Sequence, residues 1–147
     1  MQDDSIHEIV ANLGAQHEAW PRAGGWAPSN AADLLEVARL DRQLSFAHTL
    51  RDNFVPFPKE SADARQILGY ATLRSLCEGA IQLFITVYYN DYIADKKPIA
   101  RRKGEIVDPE NAQFGDLIKF YLRHGDPAFE PFLARVKARG DGVHHFS

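Results

Sequence analysis

The chain has 147 residues, 45% of them hydrophobic and 25% charged, with a formal net charge of −3. That length and usage fit one globular domain that buries its own core, and they exclude a disordered chain, a disulfide-stapled scaffold and a strongly cationic nucleic-acid-coating protein. The single cysteine, Cys77, cannot pair within the chain, and the start MQDDSIHE is acidic where a secretion signal is basic and then apolar. Arg74, Glu78, Gln82 and Asn90–Asp91 interrupt the longest apolar stretch. We therefore expect a cytoplasmic protein with no membrane span.

In chain order, Ile6, Ile9, Val10, Leu13 and Trp20 recur every three to four residues or so and predict a first helix over 1–20. Pro21 ends it, and 21–30 is a Pro/Gly loop whose Trp26 is expected to plug against the bundle. Asn30 with Asp33 reads as a capping-box start for a second helix. Its stripe is Leu34, Val37, Leu40, Leu44, Ala47, Leu50 and Phe54, closed by Pro56 and Pro58. Ser61 is placed as the cap of a third helix reaching about Ala94. This helix is largely apolar on two sides: Ile67, Tyr70, Arg74, Cys77, Ile81, Phe84 and Tyr88 run along one, Leu73, Leu76, Ala80, Leu83 and Val87 along the other. Such a helix is central, with neighbours all around it.

Residues 95–111 read as a charged loop in which Ile106–Val107 has no evident strand partner. Asp108–Pro109 and Asp126–Pro127 each look like an N-cap with proline at the first helical position. They predict a fourth helix carrying Phe114, Leu117, Ile118 and Tyr121, stopped by Gly125, and a fifth carrying Phe129, Phe132, Leu133 and Val136, broken at Gly140 and Gly142. The expectation is all-α: a single helical domain over 1–147, with residues 31–147 forming an antiparallel bundle of four to five helices in all.

The chain has no Gly-rich phosphate loop, nucleophile elbow or paired cysteines. Cys77 reads as a small core residue. His7, His17, His48 and His124 fall on different helices or helix ends, and no metal site or cofactor is expected from their spacing. Arg74 and Glu78 form an i,i+4 pair on a largely apolar stripe. It is either a partly exposed helix pair or a support for a functional group. Lys96, Lys97, Arg101, Arg102 and Lys103 concentrate five positive charges in eight residues. They form a solvated loop or a phosphate-contact patch, with Tyr88, Tyr89 and Tyr92 just upstream as candidate base-stacking groups.

The most specific signal is in the tail ARGDGVHHF, where Arg139 is followed by four residues and then His144. This string, with the preceding FGDLIKFY and LRSLCEGAIQLF segments, resembles the HEPN superfamily (higher eukaryotes and prokaryotes nucleotide-binding domain) over roughly residues 60–147. The family's motif is Arg, four to six residues, then His. The resemblance implies a HEPN-like helical bundle that forms a homodimer, and a metal-independent endoribonuclease without cofactors. It implies RNA as the partner, a toxin–antitoxin or phage-defence setting, and an antitoxin or other regulatory protein as a further partner. Carried over, Arg139 is the phosphate clamp and His144 the acid/base. Asp141 stands in for the motif's polar residue, and Glu78 with Arg74 is the supporting pair. Arg74, Lys97, Arg101, Arg102, Lys103 and His145 are the expected RNA contacts. Phe146 stands where some HEPN toxins carry a tyrosine that a partner adenylylates, so silencing there is not available. A further helix usually follows the motif histidine. Here either helices 1 and 2 complete the bundle or the natural chain continues. The alternative reading is a catalytically silent helical module that binds a nucleotide or a protein partner. A metal-dependent helical bundle is a third.

Overall fold

Every helical segment expected from the sequence forms, and two of them break part-way. The computed structural model describes residues 2–53, 56 and 58–144. Among the described residues there are seven α-helices: α1 (Gln2–Ala19), α2 (Ser29–Val37), α3 (Leu40–Asp52), α4 (Ala62–Val87), α5 (Tyr89–Ala94), α6 (Phe114–His124) and α7 (Glu130–Gly140). The expected second helix is α2 plus α3, and the expected third is α4 plus α5. No helix is long and apolar enough to cross a membrane among the described residues.

The first break has no proline or glycine to announce it. Ala38 turns extended (φ −64°, ψ 134°) and Arg39 follows at φ −82°, ψ 56°. Packing explains it. Ala32 and Leu35 of α2 bury with Ala23 against Trp20, Leu83 and Val87, whereas Ala47 and Leu50 of α3 bury with Ile6 and Leu76. The break lets the two halves of one apolar stripe face different clusters, and it leaves Val37 exposed. Asp41 sits in the first turn of α3, where a carboxylate suits the helix dipole. Arg39 donates to both its oxygens at 2.8 and 2.6 Å, which holds that carboxyl at about 2.

The second break is at Tyr88 (φ −101°, ψ 35°) and directs Tyr92 of α5 into the core. The main core gathers Ile81, Ile85, Tyr92, Phe114, Leu117, Phe120, Leu133 and Val136. As its two-sided pattern predicts, α4 is central and packs against α2, α3, α6 and α7. Helix α3 runs antiparallel to it, with Gln43 on Gly79 and Asn53 near Gly69. The last turn of α7 meets the middle of α4, Arg139 at Tyr70 and Gly140 at Arg74. Helix α6 runs alongside α4 in the same sense, with Phe114 under Arg74 and Tyr121 against Phe84.

Several local expectations are corrected. Trp26 does not plug the bundle: it is 63% exposed, tilted on Trp20, with Nε1 donating to the Arg22 carbonyl. Asn30 and Asp33 form no capping box. Helix α2 begins at Ser29, and Asn30 accepts from Ala31 N and donates to Asn90. Ser61 precedes α4, but its hydroxyl donates back to the Pro58 carbonyl. Asp108–Pro109 and Asp126–Pro127 each start a 3-10 turn, and α6 and α7 begin further on, at Phe114 and Glu130.

Ile106 does find a partner, inside the loop itself. Ala100 and Ile106 pair antiparallel, Val107 N donates to Ile99 O, and Gly104 (φ 80°) makes the turn between them. The Tyr92 hydroxyl donates toward the carbonyls of Val107 and Ile99 and so fastens this hairpin to the core. Tyr89 donates to Asp108 at 2.6 Å, which pushes its own hydroxyl up to about 12.

Candidate functional site at the end of the last helix

Helix α7 is built to present Arg139. Leu133, Val136 and Gly140 recur at i, i+3 and i+7 and are buried, which leaves Arg139 on the exposed face of the last turn. A cation there also suits the negative end of the helix dipole. The guanidinium lies over the Tyr70 ring of α4, 5.1 Å from its centroid, and Nη1 donates to the Tyr70 hydroxyl at 3.3 Å. Among the described residues no carboxylate pairs with Arg139.

The next residue is glycine for a steric reason. A Cβ at Gly140 would lie 2.6 Å from both Cβ and Cδ of Arg74. Helices α4 and α7 therefore touch through a position that has no side chain. Gly140→Ala is expected to lower stability by about 1–3 kcal/mol through overpacking. A urea titration measures it.

Arg74 is the hub below Arg139. Its Nε lies 3.0 Å from Asp141 Oδ1, an ion pair that lacks hydrogen-bond alignment, and its Nη1 lies 3.5 Å from Glu78 Oε2. Its guanidinium also stacks on Phe114 at 5.2 Å. Lys137 Nζ takes the other Asp141 oxygen at 3.0 Å. The row Glu78–Arg74–Asp141–Lys137 thus ties α4 to the end of α7 and to the 3-10 turn Asp141–His144. Asp141 and Arg74, expected as motif residue and RNA contact, are both engaged inside the protein, in holding this turn. The backbone carries His144 as the last residue of the turn. The side chain of His144, and all of His145 and Phe146, lie outside the described residues.

Burial raises the Glu78 carboxyl above its ordinary value; Arg74 opposes this and Asp141 adds to it. The folded protein therefore holds the Glu78 proton more tightly than the unfolded chain does. That contribution to stability is full below the unfolded carboxylate pKa and is lost as pH rises through the folded one. Relative to wild type, Glu78→Gln is expected to gain stability as pH rises from about 4 toward neutrality. Urea midpoints of both proteins across that range give the comparison.

The basic residues expected beside the motif lie elsewhere. Lys97, Arg101, Arg102 and Lys103 belong to the hairpin segment held by Tyr92 and by Arg123, whose Nη2 donates to Lys97 O. That end of α4 is distant: Arg74 to Val87 alone spans about 20 Å of helix. Arg101 is paired with Glu105 at 3.6 Å. Of the three tyrosines considered for base stacking, Tyr92 is buried and Tyr89 is tied to Asp108; Tyr88 is exposed. His7, His17, His48 and His124 do not gather into a metal site. His124 Nε2 lies 2.9 Å from Asp95, and no group of three or more His, Cys, Asp or Glu side chains is poised for a metal among the described residues. Cys77 packs against the main core, and burial pushes its thiol up to about 11.

Two cavities escaped the sequence reading. One, of about 390 Å³, lies between α2, α3 and α4 and includes Arg42, Gln43, Glu78 and Gln82 in its wall. It follows from the break at Ala38–Arg39, which has no sequence signal. The other, of about 370 Å³, lies where α4, α5 and α6 meet. Part of its signal was present: Phe84 and Tyr88 stand four apart on the stripe expected for the third helix.

The chain matches no family model, no curated protein and no solved structure among those compared with it.

Proposed function

We propose that the chain is a HEPN-type, metal-independent endoribonuclease acting as a cytoplasmic homodimer, in a toxin–antitoxin or phage-defence setting with a regulatory partner. The observation that carries this reading is Arg139. Its guanidinium is exposed, oriented by the Tyr70 ring and hydroxyl, and has no carboxylate partner among the described residues. An arginine so placed keeps donors for a phosphate, which it can hold bidentately. Asp141, Arg74 and Glu78 are positioning residues in this reading, since they fasten the turn that leads to His144.

The reaction is transfer within the RNA backbone. The ribose 2′-oxygen bonds to the neighbouring phosphorus, and the bond from phosphorus to the 5′-oxygen breaks. His144, in the role carried over from the family, takes the 2′-hydroxyl proton or delivers one to the leaving oxygen. Arg139 stabilises the charge that builds on the phosphoryl oxygens. The products are a 2′,3′-cyclic phosphate and a 5′-hydroxyl. The homodimer is carried over from the family the tail resembles.

A second reading is the catalytically silent module that binds a nucleotide or a protein partner, and the 390 Å³ cavity, of small-ligand size, favours its nucleotide form. One experiment separates the two. The purified chain is incubated with mixed RNA in EDTA beside His144→Ala, Arg139→Ala and Arg135→Ala, the last an exposed arginine on the same helix. The ribonuclease reading requires cleavage by wild type and Arg135→Ala that is lost in the other two. Cleavage that survives all substitutions, or none by any protein, removes that reading.

A further inference from the structure

The cavity between α4, α5 and α6 has walls of a different character from the Arg139 site. Phe84, Tyr88, Tyr92 and Phe120 contribute aromatic rings to it. Phe84 and Tyr88 lie 5.3 Å apart at 56°, and Tyr92 and Phe120 lie 5.1 Å apart, edge to face. The Tyr92 hydroxyl points away, into the hairpin carbonyls, so the ring is what it offers the cavity. Tyr88 stands at the break between α4 and α5 and is 54% exposed, with no hydrogen bond on its hydroxyl among the described residues.

Two carboxylates share the cavity, and they differ. Asp95 is engaged by its own chain: His124 Nε2 at 2.9 Å, the Lys97 N–H at 2.7 Å and Arg123 at 3.7 Å. Asp91 is exposed and has neither a hydrogen bond nor an ion pair among the described residues. Phe120 is already met by the chain's own Arg123, 5.1 Å from its centroid, and by His124 in the same wall, so the cavity offers a ligand the Phe84 and Tyr88 rings and one carboxylate, Asp91, with no cation on it among the described residues. A phosphate is repelled by Asp91. A hard divalent metal wants several oxygen ligands, and only Asp91 is free to give them. A polarisable organic cation suits both features, since ring faces attract positive charge and a desolvated ammonium gains from a nearby carboxylate. At about 370 Å³ the space accepts a substituted ammonium group.

We propose that this cavity is a binding site for a small organic ammonium ion, with Phe84 and Tyr88 as its aromatic walls and Asp91 as its counter-charge. The site is independent of RNA cleavage, and its test does not read activity. Choline chloride is titrated into the full chain by calorimetry and followed by NMR, beside 3,3-dimethyl-1-butanol, the neutral carbon isostere of choline. Choline is expected to bind saturably, and the isostere to bind at least about tenfold more weakly. Tyr88→Leu and Asp91→Asn, both at exposed positions, are expected to weaken choline by about 3- to 30-fold, and Tyr88→Phe, which keeps the ring, to retain it. Equal affinity for the isostere reduces the site to a plain apolar cavity and overturns the proposal. So does choline binding indifferent to Tyr88→Leu and Asp91→Asn, or no saturable binding of choline.

Discussion

Tyr92→Ala is expected to lower the free energy of unfolding by about 3–5 kcal/mol, the range for removing a large buried aromatic side chain. Tyr92 is 1% exposed and joins three parts of the molecule. Its ring packs edge to face on Phe120 of α6, it lies 6.1 Å from the Tyr89 ring, and its hydroxyl reaches the Ile99 and Val107 carbonyls of the hairpin. Truncation leaves a cavity in the main core and strands the buried Val107 carbonyl without its donor. Burial is also what pushes the Tyr92 hydroxyl up to about 12. Tyr92→Phe separates the two effects: it keeps the ring and is expected to cost about 1–3 kcal/mol, the penalty of a buried acceptor left unsatisfied. Urea unfolding of the three proteins, followed by circular dichroism, measures both. A domain of this size has about 5–15 kcal/mol in hand, so Tyr92→Ala is expected to be substantially unfolded at elevated temperature.

Arg139→Ala is expected to reduce RNA cleavage by about 10²–10³-fold while leaving stability within about 0.5 kcal/mol. The two halves of this expectation have separate grounds. Arg139 is exposed, and among the described residues its guanidinium is held by Tyr70 without an ion pair, so the fold gains little from it. In the proposed reaction it stabilises charge that appears only in the transition state, where removing a single donor group commonly costs that factor. Arg139→Lys keeps the charge and loses the planar fork and the stacking geometry, so it is expected to restore only part of the rate. Arg74→Ala differs in kind: it empties the space over Gly140 and leaves Asp141 and Glu78 without their shared cation. Its expected signature is lost stability together with lost activity.

Much of the fold was legible because helix periodicity, proline and glycine mark where apolar faces begin and end. The two-sided pattern of α4 announced a central helix, and Gly125 ended α6 where expected. The breaks at Ala38–Arg39 and Tyr88 were not legible, because tertiary packing imposes them without a local breaker. The same holds for the hairpin, whose Ile106 pairs with Ala100 only six residues before it. At the site, the i,i+4 pair Arg74–Glu78 was visible and does form. What spacing could not convey is that Arg74 also reaches Asp141 across two helices, or that its side chain is the reason residue 140 is glycine. The basic residues were grouped with the motif by composition, and α4 separates them by its length.

The ends of the RNA fragments test the catalytic assignment most directly. Fragments made in EDTA by the wild-type chain, and by Arg139→Ala at matched concentration, are analysed by mass spectrometry at both termini. Fragments with 2′,3′-cyclic phosphate and 5′-hydroxyl ends from the wild type, at least about a hundredfold fewer from Arg139→Ala, are the expected result. Fragments with 3′-hydroxyl ends, or cyclic phosphate ends in equal yield from both proteins, contradict the assignment of Arg139 as the phosphate clamp of a ribonuclease.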